Sequence, residues 1–463
     1  MTIDPTARTE TDLLGEVSLP AGALYGVNTV RGVENLTVSP WPVGREREFV
    51  RALALVKKAA ALANAELGQL TDGQAGAIAA ACDEVAQGRW DGQFVVDLME
   101  GSGGTSTNMN ANEVIARRAQ QISAGAVHAN DHVNRSQSTN DVYPTAMKLA
   151  VLAMVGPLVA ELHALATSLA ARRDEWADVL HLGRTCLQDA QPMRLGHAFG
   201  GYAELVRRQA LGLESASRGL LAVPLGGTAI GTGFGSPPGW RDTVLHQLVQ
   251  LTGLQFEPPG DAFDAMQNLD VFARVSAELR HAATSMARIA SDLILLSSGP
   301  HGGLGEVRLP AVQAGSSIMP GKVNPVVPMS LVQIGFAVVG NDATVAQAQQ
   351  AGQLEINHFE PVVASRLFDS LRLVTRGAML LRTRCVDGLQ ADVQANLAHL
   401  SASSALATAL IPVLGYDATS VLVNEAQAEG LALIDLVDRR GLMTRADALD
   451  RLRAASQTVP AAP

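Results

Sequence analysis

The chain is 463 residues long with a net charge of −10, 47% hydrophobic and 17% charged residues, and a mean hydropathy of +0.15. Such a chain can bury a large core and form more than one domain, and its acidic balance without any basic block argues against nucleic acid as a partner. No uncharged apolar run of about 18 residues is present to span a bilayer, so the apolar surplus predicts a subunit interface.

Residues 1–16 are polar and acidic, without the basic and apolar segments of a signal peptide. Residues 19–35 mix Pro, Gly and β-branched residues as an irregular or short-strand entry. From about residue 46, Phe49, Ala52, Leu53, Val56 and Ala60 recur at helical spacing. A second helix is predicted over about 72–85 with Thr71 as its N-cap. A third is predicted from about 113, after the Gly/Ser/Thr/Asn segment 101–110. An apolar helical run then continues to about 180, with Pro144 tolerated near its start and Pro157 a predicted kink. Further helices are predicted over about 193–220, 261–297, 327–349 and 354–382, with shorter ones from about 392 and a turn-rich stretch at 224–238. No alternating strands accumulate, and three helices of about 30 residues or more are expected, well above ordinary helix length. The pattern predicts an all-α chain whose long helices form a bundle shared between subunits. Cys82, Cys186 and Cys385 are far apart and odd in number, which argues against a disulfide framework and fits a reducing, cytoplasmic setting.

Four polar segments interrupt the helices: 101–110, 130–141, 183–189 and 315–325. Each alone could cap a helix, since Ser, Thr, Asn and Asp are the favoured N-cap residues, and helix N-termini also attract anions. The last segment, Gly-Ser-Ser-Ile-Met-Pro-Gly-Lys-Val-Asn-Pro, holds glycines that loosen it and prolines that keep it out of a helix. Ser316 and Ser317 offer small polar groups there, while Lys322 and Asn324 offer donors suited to a carboxylate.

This run resembles the signature loop of the fumarase/aspartase superfamily. The other three segments resemble its motif set in the same order, as do Pro224-Leu-Gly-Gly-Thr-Ala-Ile-Gly-Thr-Gly233 and Gly352-Gln-Leu-Glu-Ile-Asn357. The match runs from about residue 10 to 435, with the aspartase branch nearest. It implies an all-α fold of three domains (1–137, 138–391 and 392–463) in a homotetramer with a twenty-helix core and active sites lined by three subunits. It also implies a lyase without cofactor or metal that acts on a small dicarboxylate, eliminating ammonia from L-aspartate to give fumarate. Ser316 would be the catalytic base. Thr105, Ser138, Thr139 and Ser317 would hold the carboxylate next to the carbon losing its proton. Thr185, Lys322 and Asn324 would hold the other carboxylate, and Asn140 would face the leaving amine. Cys186 lies beside that leaving group, so Ser316, Cys186 and Lys322 form the expected catalytic set.

The division of roles makes physical sense. Removing a proton α to a carboxylate puts a second negative charge on that group, and hydroxyls and N–H donors around it stabilise the charge where it develops. A serine base needs its own anion stabilised, which a closing loop with N–H groups can do. Two positions depart from the family pattern. Cys186 stands where His or Gln is usual, and Met329 where Glu is usual, as though a polar pair had been replaced together. Fumarate hydratase, or elimination of a different amine such as trimethylamine, are therefore the alternatives, and a non-catalytic relative of structural role is a further one. Other chemistries fit less well. His128 and His132 lack a third zinc ligand, Lys322 lacks a P-loop context, no Gly-x-Ser-x-Gly elbow is present, and Glu306 reads as a structural hydrogen-bond partner.

Overall fold

A computed structural model describes residues 7–457. Residues 1–6 and 458–463, the outer ends of the expected polar tail and of the expected first and third domains, lie outside the described residues. The described residues open on a hairpin within the stretch expected to be a polar tail: β1 (Ala7–Asp12) pairs antiparallel with β2 (Gly15–Pro20). Arg31 in α1 (Val27–Leu36) holds this hairpin through Asp12 at 2.7 Å.

α2 (Arg47–Glu66) buries residues on almost every face, from Phe49, Val50 and Leu53 to Lys57 and Asn64. α3 (Asp72–Ala86) starts at the predicted cap, where Thr71 and Gln74 form a reciprocal capping box. α4 (Thr105–Ser123) begins earlier than the spacing predicts, because Gly103 and Gly104, at φ +64° and +89°, turn the chain straight into it. α5 (Thr139–Glu175) contains Pro144 and Pro157 and is, among the described residues, the only helix to reach the length of about 30 expected for three, at 37 residues. Its run stops short of 180 because β3 (Leu180–Thr185) and β4 (Gln188–Arg194) form a hairpin that the sequence pattern did not reveal.

α6 (Leu195–Ser217) follows, then α7 (Trp240–Thr252), an element the sequence reading missed. The single helix expected over 261–297 is two, α8 (Ala262–Gln267) and α9 (Asp270–Leu296), because Asn268 adopts an extended backbone between them. After the short β5 (Val307–Arg308) come α10 (Val326–Gln350) and α11 (Glu360–Arg384), each of 25 residues. α11 starts later than predicted because Leu354, at φ +55°, sits in a turn bridged by Gln353 and Ile356. The strand β6 (Gln390–Ala391) pairs with β5, and α12 (Val393–Ala402), α13 (Leu406–Leu414), α14 (Tyr416–Glu429), α15 (Leu433–Arg439) and α16 (Arg445–Ala455) complete the chain.

The described residues form two compact units. One draws on Met1–Val159, Leu211–His281 and Ala337–Val374, the other on Ala160–Ala210, Ala282–Phe336 and Thr375–Pro463. In the first, Phe49 packs edge-on to Tyr143 at 5.1 Å and against Phe368 at 5.4 Å. In the second, Leu180 and Leu182 of β3 join Leu400, Leu410, Leu436 and Leu452 in one buried cluster. Each such side chain contributes about 1.5–3 kcal/mol by leaving water. α5 and α10 hold stretches of mean hydropathy 1.9 and 1.3, long and apolar enough by length and composition alone to cross a membrane once up to two charges are allowed. The charges in α5 are partnered within the chain: Lys148 donates to the Ala222 carbonyl at 2.6 Å, and Glu161 accepts from Arg382 at 2.6 Å.

Candidate active site

The first unit carries Thr105, Ser138, Thr139 and Asn140; the second carries Thr185, Cys186, Ser316, Ser317, Lys322 and Asn324. In the first unit, Thr105 is exposed at the head of α4. The turn before it is fixed by buried Glu100, which accepts from the Ser102 N–H at 2.7 Å and from the Thr107 N–H at 3.3 Å. Thr139 heads α5, and Asn108, one turn along from Thr105, donates to its Oγ1 at 3.1 Å. The first turns of α4 and α5 therefore adjoin. The N–H groups of Thr105, Ser106 and Thr107 are spent on Ser102 and Glu100, so what this edge offers a carboxylate is the hydroxyls of Thr105 and Thr139 and the positive ends of the two helices.

Behind this edge lies a buried polar network that the motif reading did not assign. Lys57 donates to Asn134 Oδ1 at 2.9 Å, and the same oxygen accepts from Asn108 and Asn112 at 3.2 and 3.1 Å. Asp141, fully buried, accepts N–H bonds from Ser138, Gly226 and Thr228 at 3.0, 3.1 and 2.9 Å. Burial pushes its carboxyl up to about 6, and burial draws the Lys57 ammonium down to about 7. His128 and His132 serve the turn between α4 and α5: His128 Nδ1 accepts from the Asp131 N–H at 3.2 Å and His132 Nδ1 from the His128 N–H at 2.7 Å.

In the second unit, Thr185 and Cys186 are exposed at the tip of the β3–β4 hairpin. Thr185 pairs with Gln188, leaving a two-residue loop in which Cys186 and Leu187 take φ +53° and +61°. That is the mirror-image turn whose twist suits paired strands, here built without the usual Asn-Gly. The hairpin is anchored next to its tip. Arg184 forks onto Glu306 with bonds of 2.9 and 2.7 Å, His399 Nδ1 meets the same carboxylate at 2.7 Å, and His181 Nδ1 meets Asn396 Oδ1 at 2.7 Å. Burial pushes the Glu306 carboxyl up, but the Arg184 and His399 bonds outweigh it and hold the group below its usual range.

The 315–325 loop closes on itself: the Gly315 N–H donates to the Lys322 carbonyl at 2.8 Å and Asn324 Nδ2 to the Gly315 carbonyl at 2.6 Å. Asn324 thus braces the loop, a use the sequence did not suggest. Ser316 Oγ accepts from the Ile318 and Met319 N–H groups at 3.0 and 2.9 Å. Two N–H donors on one hydroxyl oxygen favour its anion. Ser317 and Lys322 of the same loop are exposed; Cys186 and Met329, the positions that depart from the family pattern, are exposed as well. Burial raises the Cys82 and Cys385 thiols to about 12, while Cys186 is exposed.

Comparison with known proteins agrees along the whole chain. The Lyase family pattern matches residues 15–340 and the Fumarase C C-terminus pattern residues 406–455. The chain is 41% identical over 460 residues to an aspartate ammonia-lyase of Pseudomonas canavaninivorans, spanning 98% of this chain and 97% of that one. It is 41% identical over 462 residues to an aspartate ammonia-lyase of Pseudomonas aeruginosa, spanning 98% of each. A solved fumarate lyase:delta crystallin from Brucella melitensis, bound to cobalt, matches with a TM-score of 0.94 at 44% identity, over 97% of this chain and 99% of that one. On sequence, motif order and fold together, the chain belongs to the fumarase/aspartase family of lyases.

Proposed function

We propose that the protein is a cofactor-independent carbon–nitrogen lyase that eliminates ammonia from L-aspartate to give fumarate. The observation that carries this reading is the 41% identity held over nearly the full length of chains named aspartate ammonia-lyase. Ser316 removes the β-proton, the C–H electron pair moves into the adjacent carboxylate as a dianionic intermediate, and its return forms the double bond as the C–N bond breaks and ammonia leaves. The two N–H bonds to Ser316 Oγ support this role, since they stabilise the serine anion. Thr105, Ser138, Thr139 and Ser317 take the charge-bearing carboxylate, and Thr185, Lys322 and Asn324 the other. Asn140 faces the amine, and Cys186 lies beside it.

The three-domain division at 137/138 and 391/392 and the homotetramer belong to the same proposal. Met329, Phe336 and Val339 on α10 are 46%, 72% and 42% exposed, an apolar face that packing of four copies covers. Each site then draws its groups from three chains, so separated monomers are inactive. Following the ultraviolet absorbance of the fumarate double bond with aspartate, malate and N-substituted aspartates tests the reaction. Turnover of aspartate alone supports the reading; turnover of malate or only of a substituted amine replaces it. Ser316→Ala is expected to lower kcat by about 10²–10⁴-fold with binding nearly intact, and a variant that keeps wild-type kcat removes Ser316 as base.

A further inference from the structure

Asp141 occupies the first turn of α5, completely buried, yet the reaction as proposed gives it no part. Its Oδ1 accepts the Ser138 N–H, and its Oδ2 accepts the N–H groups of Gly226 and Thr228. The turn it grips is an unfavourable one. Thr228 sits at φ +55°, a region that a β-branched residue enters only under strain. Its own hydroxyl is buried without a hydrogen-bond partner, so the side chain does not hold it there. Gly226, at φ +96°, lies so close to Arg241 that an added Cβ would meet the Arg241 Cβ at 2.9 Å. One residue beyond Thr228, the Ala229 carbonyl accepts from Asn140 Nδ2 at 2.8 Å. A carbonyl can only accept, so this contact decides which end of the Asn140 amide turns towards Ala229. It leaves Oδ1, an acceptor, for a substrate.

We propose that Asp141 is a positioning residue that sets leaving-group specificity: by holding the 226–228 turn in its strained form it aims the Ala229 carbonyl at Asn140, so that the Asn140 amide presents its oxygen to an N–H-bearing amine. The inference rests on the reading of Asn140 as the group that meets the leaving amine. An amine with N–H groups then finds an acceptor, whereas an amine with fewer of them gains less. Without the carboxylate, Thr228 relaxes, the Ala229 carbonyl swings away, and the Asn140 amide loses its fixed sense.

The experiment compares wild type, Asp141→Asn, and Asp141→Asn combined with Thr228→Gly. For each, kcat and KM for deamination are measured, together with the ratio of kcat/KM for ammonia and for dimethylamine in addition to fumarate. Asp141→Asn is expected to lower kcat by about 10–100-fold, with KM changed less and the preference for ammonia reduced. Glycine holds a positive φ without strain, so Thr228→Gly is expected to restore both kcat and the preference by about tenfold. An Asp141→Asn enzyme with unchanged kcat and amine preference overturns the proposal, as does a loss that Thr228→Gly leaves unrecovered. If Asp141→Asn does not fold, Asp141→Ser, whose shorter side chain stops short of the Gly226 and Thr228 N–H groups, takes its place. Loss of ammonia preference in it supports the proposal and an unchanged preference overturns it. Wild type that fails on aspartate but acts on another dicarboxylate removes the ammonia reading alone; the same variants are then run on that substrate, with kcat and its recovery by Thr228→Gly deciding the Asp141 link.

Discussion

Replacing Glu306 by Gln tests how the β3–β4 hairpin is held. Glu306 is completely buried and carries the two-pronged Arg184 contact as well as His399, while the side chain of Arg184 is 16% exposed. The amide keeps one acceptor and turns an NH2 towards a donor, so Arg184 stays charged with its partner gone. Removing one member of a buried pair costs about 3–5 kcal/mol, and the partial exposure of Arg184 favours the lower end, about 3 kcal/mol. For a cooperative unit of about 150–250 residues this lowers Tm by about 6–12 °C. Thermal melts of Glu306→Gln and of the double variant Glu306→Leu/Arg184→Met provide the measurement. The double variant should recover most of the loss, because two apolar side chains leave no stranded charge. Thr185 follows Arg184 directly, so KM for the substrate should rise in the single variant. A Glu306→Gln protein melting within about 2 °C of wild type, or a double variant no better than the single, would refute the reasoning.

Gly104→Ala places a Cβ 2.5 Å from the Tyr143 ring at φ +89°, so it should destabilise by about 2–4 kcal/mol, read by urea unfolding; full stability would mean that the 101–104 turn is not held against α5. Leu187→Gly relieves the φ +61° strain at the hairpin tip and should raise stability by up to about 1 kcal/mol, net of the flexibility glycine adds to the unfolded chain. Lys57 has a pKa drawn down to about 7 by burial, below its unfolded value, so the unfolded state binds more protons between that pH and the ordinary lysine range. Stability should therefore rise with pH from 7 to 9, by at most about 1.4 kcal/mol per pH unit. Asp141, at about 6, is ionised in both states across that window. Melts of Lys57→Met should lack this contribution from Lys57, keeping only the rise above pH 8 that comes from Lys148, which burial draws down to about 8, and parallel pH curves for the two proteins would contradict the assignment.

The elements legible in the sequence were those whose information is local. α2 and α3 announce themselves through apolar residues at helical spacing and through Thr71 with Gln74 three residues on. The β3–β4 hairpin did not, because Cys186-Leu187 lacks the Asn-Gly or Asp-Gly signal of such turns. The polar residues at the head of α5 were legible as types suited to a carboxylate, but what supports them was not. Asp141 finds Gly226 across 85 residues, and Arg184 finds Glu306 across 122. No spacing rule reaches that far. Asn324 shows the converse: one of its two amide N–H donors, expected for a substrate, is spent within its own loop.

The backbone at Cys186 carries one more implication, for how this lyase can change. With φ at +53°, position 186 is filtered by conformation before chemistry is considered. Gly, Asn, Asp and His enter that region with least penalty, whereas Val, Ile and Thr are disfavoured there whatever contact they might make. Evolution or engineering at the hairpin tip therefore chooses from a short alphabet, and a broader choice at 186 first requires lengthening the turn.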